Sequence, residues 1–152
     1  MGLNIRDLAV SSPAFDNGGR MPDRSAFDKG NDQPEIRITG VPDAAVELAL
    51  ICHDPDAPLP QGFTHWLLYG IPPDTRALAG SDAAAYRPGL NDFGSLGYGG
   101  PQPPAGHGPH HYYFWIYALD TPVEGTPSRA EFLARYADHI IEQNRLVGVY
   151  EN

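Results

Sequence analysis

The chain has one cysteine, Cys52, so no intrachain disulfide can brace it and its stability must come from a packed core. A lone thiol fits a reducing compartment. Basic residues are scarce too, 10 against 19 acidic ones, for a net charge of −9. That balance repels nucleic-acid backbones and leaves no polybasic patch for a membrane, so neither nucleic acid nor stable membrane insertion is expected. No run approaches the roughly 18 apolar residues of a spanning helix. Met1 to Asp7 lacks the cationic and apolar segments of an export signal, and Arg6 stands where a myristoylation signal needs Ser or Thr. These absences point to a cytoplasmic protein with soluble partners or small ligands. No internal repeat or low-complexity tract is visible, and no Gly-x-Ser-x-Gly elbow marks a serine hydrolase. The glycine-rich loop from Gly94 to Gly100 lacks a Lys-Ser/Thr pair and runs into prolines, so it is not a nucleotide-phosphate loop.

Glycine and proline are abundant, 17 and 16 residues, yet 41% of the chain is hydrophobic, which argues for many short strands joined by turns rather than for disorder. A chain of 152 residues is long enough for one well-buried domain, taken here as 1–152. Val46 to His53 reads as a central strand stopped at Pro55, Thr64 to Ile71 as a second closed by Pro72-Pro73, and Tyr112 to Leu119 as a third. Glu35 to Thr39 and Leu146 to Tyr150 are shorter strands. Ser128 and Glu131 form a capping box, and Phe132, Leu133, Tyr136, Ala137, Ile140 and Ile141 follow as the apolar face of one helix. The pattern predicts a mainly β protein, a sandwich with a C-terminal helix and short helical decorations. The irregular stretch from Gly80 to Pro109 is longer than a domain without a functional loop usually carries.

The candidate chemistry sits where these strands begin and end. Asp54 and Asp56 flank Pro55, either as turn-forming aspartates or as two pocket carboxylates pointing the same way. His65 precedes Trp66, and strand alternation predicts that one lines a site while the other packs on the opposite face. His107, His110 and His111 follow a Gly/Pro loop and lead into Tyr112. Carboxylates beside imidazoles could do acid/base chemistry, hold a zinc ion or bind a ligand. Cys52 next to His53 reads as a buried strand thiol, because alternation sends the two to opposite faces.

Two motifs narrow these alternatives. Asp54-Pro55-Asp56-Ala57-Pro58 followed by His65-Trp66, and Gly97-Tyr98-Gly99 with Pro103-Pro104, Gly106, His110, Tyr112 and Phe114, resemble the phosphatidylethanolamine-binding protein family, which includes the Raf kinase inhibitor protein and bacterial relatives. Weaker echoes run from Phe15-Asp16-Asn17-Gly18 to Leu146–Tyr150. The resemblance implies a sandwich of two antiparallel sheets. It also implies a metal-free, cofactor-free anion site bounded by Asp54, Asp56, His65, Gln102, Pro103, Gly106, His110 and Tyr112, with His65, His110, Tyr112 and loop amides as donors. The implied function is binding of a small anion (phosphate, carboxylate or phospholipid head group), with a regulatory role toward a protein partner such as a kinase or peptidase. Nothing in the residues demands turnover, and the alternative is an enzyme using the Asp/His pocket on an anionic or carbonyl substrate. A homodimer is left open. Three positions depart from the family pattern: His111 replaces an arginine common in relatives, Gln102 replaces a glycine of the animal proteins, and no Lys or Arg lies between Asp56 and His65.

Overall fold

Seven of the eight residues of β4 (Glu47–Asp54) are buried, which explains why its sequence is an almost unbroken apolar run instead of an alternating one. Both of its faces are covered in the computed structural model, which describes residues 5–80 and 85–152. β5 (Phe63–Ile71) and β8 (His110–Leu119) pair antiparallel on either side of it. β9 (Ile140–Tyr150) lies beside β8, β7 (Arg87–Pro88) beside β5, and β2 (Gly19–Arg20) beside β9, giving the order β2-β9-β8-β4-β5-β7. The two-residue β2–β9 pairing is parallel, and every other pairing is antiparallel. A smaller sheet of β1 (Ala9–Ser11), β3 (Ile36–Thr39) and β6 (Ala77–Leu78) completes the sandwich.

Alternation along the central strands builds two cores. Leu48, Leu50, Cys52, Trp66, Leu68, Phe114 and Ile116 cluster with Ile36 and Ile38 of the small sheet. On the opposite face Ala49, Ile51, Leu67, Tyr69 and Tyr117 cluster with Phe132 and Tyr136 of helix α1 (Arg129–Tyr136). The Ser128/Glu131 capping box is formed in both directions. The helix is shorter than its apolar spacing predicts, because a 3-10 turn (Ala137–His139) ends it and Ile140 and Ile141 open β9. The reason lies in β8, whose backbone groups need a partner along its whole length. β9 supplies it from Leu119↔Ile140 to His110↔Tyr150, while Ile140 still reaches the core under the helix.

The stretch from Gly80 to Pro109, of which 81–84 lie outside the described residues, is stapled to the start of β5. Asn91 is 2% exposed; its Oδ1 accepts the N–H groups of Phe93 and Ser95 and its Nδ2 donates to the Gly97 carbonyl. Asp92 Oδ2 accepts the Thr64 N–H, and the Asp92 N–H donates to the Thr64 carbonyl. No helix among the described residues is long and apolar enough to cross a membrane.

The turn joining β4 to β5 closes through Gly62, whose φ is +70° and whose added Cβ would lie 2.4 Å from the Asp54 carbonyl oxygen. Gly62→Ala combines a left-handed backbone with a backbone clash and should cost about 3 kcal/mol in urea denaturation. A loss below about 1 kcal/mol would contradict this account of the turn.

Candidate functional site

A β-bulge builds one wall of the site. Cys52 pairs with Trp66 and the next residue, His53, pairs with Thr64, so His65 has no partner in β4. An extra residue of this kind re-aims side chains. The His65 ring meets Tyr112 at a centroid distance of 5.1 Å and Phe63 at 4.8 Å, while Trp66 packs in the same core cluster as Tyr112. The alternation that predicted opposite faces for His65 and Trp66 is therefore cancelled by the bulge. His65 Nδ1 donates to the Gly99 carbonyl at 2.7 Å, and burial pushes its pKa down to about 4 against the pull of the Gly99 and Gly100 backbone. At neutral pH the ring holds one proton and that proton is committed. Its other nitrogen is left as an acceptor, so the ring's one proton is not free to be the donor that the sequence suggested.

Asp54 supplies the opposite wall. Its Oδ1 accepts the Asp56 N–H at 2.7 Å and its Oδ2 pairs with His110 Nδ1 at 2.7 Å, with both side chains 3% exposed. Burial pushes the Asp54 carboxyl up from its ordinary value, and the His110 and Asp56 hydrogen bonds oppose that rise. Asp56 turns the other way. Its Oδ2 accepts the His111 N–H at 2.7 Å and pairs with the His111 ring at 2.8 Å on the exposed side of the turn. Partial burial raises the Asp56 pKa, but the His111 bonds outweigh it and hold the carboxyl below its ordinary value. The two carboxylates do not share a site: Pro55 separates an inner Asp54–His110 pair from an outer Asp56–His111 pair. His111 ties off Asp56.

Between these walls lies a cavity of about 260 Å³. Of the eight residues singled out from the sequence, Asp54, His65, Gln102, Pro103, His110 and Tyr112 line it, whereas Asp56 and Gly106 do not. Pro104, from the same loop, lines it as well, and so do Ala57, Pro58, Leu59, Phe63 and Phe93, which were not anticipated. Phe93 stacks on Phe27 at 4.1 Å and meets Phe63 edge-on at 4.7 Å, so the loop after β7 and the start of β5 close one side as an aromatic block. The floor is polar and buried; the mouth, at Pro58, Leu59 and Pro104, is apolar and exposed.

Two donors on lining residues, one buried and one exposed, have no partner among the described residues. The Tyr112 hydroxyl makes no hydrogen bond, and since no enclosed side-chain oxygen or nitrogen is unsatisfied, this oxygen is open to the cavity. Burial, with Asp54 nearby, pushes its pKa well up, so it remains protonated and able to donate. In Pro101-Gln102-Pro103-Pro104 only Gln102 has an N–H, and that group is likewise unpaired.

A family model for phosphatidylethanolamine-binding proteins matches residues 11–151. Over 151 residues the chain is 41% identical to a UPF0098 protein of Methanothermobacter thermautotrophicus, covering 94% of this chain and 98% of that one. The crystal structure of Escherichia coli YbcL, described as a new member of the mammalian PEBP family, superposes with a TM-score of 0.87 at 31% identity, covering 97% and 99% of the two chains. A PEBP homolog of Chlamydia trachomatis gives the same TM-score, 0.87, at 32% identity over 95% and 97%. The chain belongs to the phosphatidylethanolamine-binding protein family.

Two buried histidines make stability depend on pH. His65, and His53 with its Nδ1 on Thr64 Oγ1, are both held down to about 4, His53 by burial and by the positive charge of Arg129. In the unfolded chain a histidine takes its proton near pH 6.5. Between about pH 6.5 and 4 the unfolded state therefore binds more protons, and stability falls as pH drops through that window. Each histidine can remove on the order of 3 kcal/mol by pH 4. Asp54 opposes the trend near the low end, because its raised folded pKa lets the folded state take that proton first. Urea denaturation at pH 7, 5.5 and 4.5 should show a steady loss, with a shallower slope in His65→Gln. An unchanged midpoint across that range would contradict the assignment of both rings as neutral.

Proposed function

We propose that the cavity captures a small anionic head group, a phosphate, carboxylate or phospholipid head group, and that occupancy regulates a protein partner such as a kinase or peptidase. The observation that carries the first half is the unpartnered Tyr112 Oη at a floor whose one carboxylate is already satisfied, with the unpaired Gln102 N–H on an exposed lining residue beside it in support. Asp54 has both oxygens engaged internally, so its part is to hold His110 by Nδ1 and leave Nε2 as the nitrogen for ligand exchange. His65 suits a protonated oxygen of a phosphate monoanion. The apolar mouth accepts a short carbon stem behind the head group. With a net charge of −9 the surface repels anions at long range, so affinity comes from these local donors and is modest. The regulatory half rests on the family and on no local motif.

One observation favours a second reading. A buried carboxylate bonded to a histidine Nδ1 is the arrangement that orients an imidazole as a general base, which would make the protein an enzyme acting on an anionic or carbonyl substrate.

Calorimetric titration with inorganic phosphate and with phosphoethanolamine separates the readings. The binding account expects His110→Ala to weaken affinity by about 1.5–3 kcal/mol and Tyr112→Phe by about 1 kcal/mol, with the ligand recovered unchanged. Equal binding by the parent and both variants would move the ligand away from this cavity. Conversion of the ligand, lost in Asp54→Asn while binding persists, would establish the enzyme instead.

A further inference from the structure

His110 Nε2, the nitrogen that the anion reading assigns to the ligand, is already occupied. His107 Nδ1 lies 2.6 Å from it, with the two ring centroids 4.8 Å apart. The partners differ sharply in how they are held. His110 is 2% exposed and anchored on β8 by Asp54, whereas His107 is exposed and lies outside the cavity lining. His107 sits between Gly106 and Gly108, with φ of +74° and +89° and open space where their Cβ atoms would be. Among the described residues its backbone is tied only locally, through its N–H to the Pro104 carbonyl. The Asn152 Nδ2 bond to the Pro103 carbonyl and the Gly106 N–H bond to the Asn152 carbonyl hold the base of the loop, leaving the tip attached to the protein body by the ring-to-ring bond.

Resting on the anion reading, we infer that His107 is a removable cap on the site: in the free protein its Nδ1 holds the position at His110 Nε2 that a ligand oxygen takes, and binding displaces it. An exposed side chain on a glycine-flanked tip can leave at little cost to the core. The bond it gives up is partly regained with the incoming oxygen, so the cap lowers affinity without blocking it. It also sets selectivity. A ligand must offer a hydrogen-bonding oxygen at His110 Nε2 to replace His107, so a purely apolar molecule that fits the mouth leaves the cap closed.

His107→Ala and His107→Gln test this with inorganic phosphate as the probe and with carbethoxylation of His110 by diethylpyrocarbonate, read by peptide mass mapping, as a ligand-free measure of Nε2 access. The cap predicts that His107→Ala binds phosphate roughly two- to tenfold more tightly than the parent. It also predicts faster carbethoxylation of His110, with His107→Gln lying between the two. Unchanged His110 reactivity together with unchanged affinity would overturn the cap while leaving the anion site in place. Weaker phosphate binding in His107→Ala would overturn it in favour of His107 as a direct donor. Phosphate bound by neither protein would overturn the anion reading itself, and with it the claim that an anion displaces His107; altered His110 reactivity would still tell the two failures apart.

Discussion

The buried carboxylate of Asp54 organises this end of the sandwich. Taking a carboxylate out of water costs several kcal/mol unless its oxygens find donors, and here one oxygen binds the Asp56 N–H and the other His110. The first bond shapes the turn after β4. The second ties that turn to the first residue of β8. Because both are needed to offset burial, folding and site geometry are one problem: the chain cannot place Asp54 inside without bringing His110 and, two residues on, Tyr112 to the same floor. The charge that looks unsuited to the proposed anion site is thus a structural element that orients an imidazole.

The bulge at His65 solves the facing half of the problem. Without it, β5 would send His65 to the helix side of the sheet. With it, His65 lies against Tyr112 and Phe63, and the Gly99 carbonyl fixes its tautomer. Gly99 is in turn held by its own N–H on the His65 carbonyl. Strand and loop therefore lock each other, and Phe93 closes the aromatic side between them.

Much of this was legible in the residues. The Asp-Pro turn ending an apolar strand, the two-residue spacing of His110 and Tyr112, and the Ser128/Glu131 cap all translate directly into local geometry. What was not legible depends on register. Alternation predicted opposite faces for His65 and Trp66 because a bulge leaves no local signature in Thr64-His65-Trp66. Asp56 looked equivalent to Asp54, and only the position of His111 sends it outward. Ile140 and Ile141 extend the helical spacing of α1, yet the need of β8 for a partner strand claims them. Phe63, Phe93 and Leu59 carry no motif of their own, and they reach the cavity through turns whose closure is a tertiary event.

The ring nitrogens of the histidines report this arrangement most directly. Nitrogen-15 spectra of the labelled protein, followed from pH 8 to 4, should show His65 as the Nδ1–H tautomer, neutral down to about pH 4, with added phosphate shifting His110 Nε2. A His65 ring that titrates near pH 6.5, or as the Nε2–H tautomer, with phosphate leaving His110 untouched, would contradict the account.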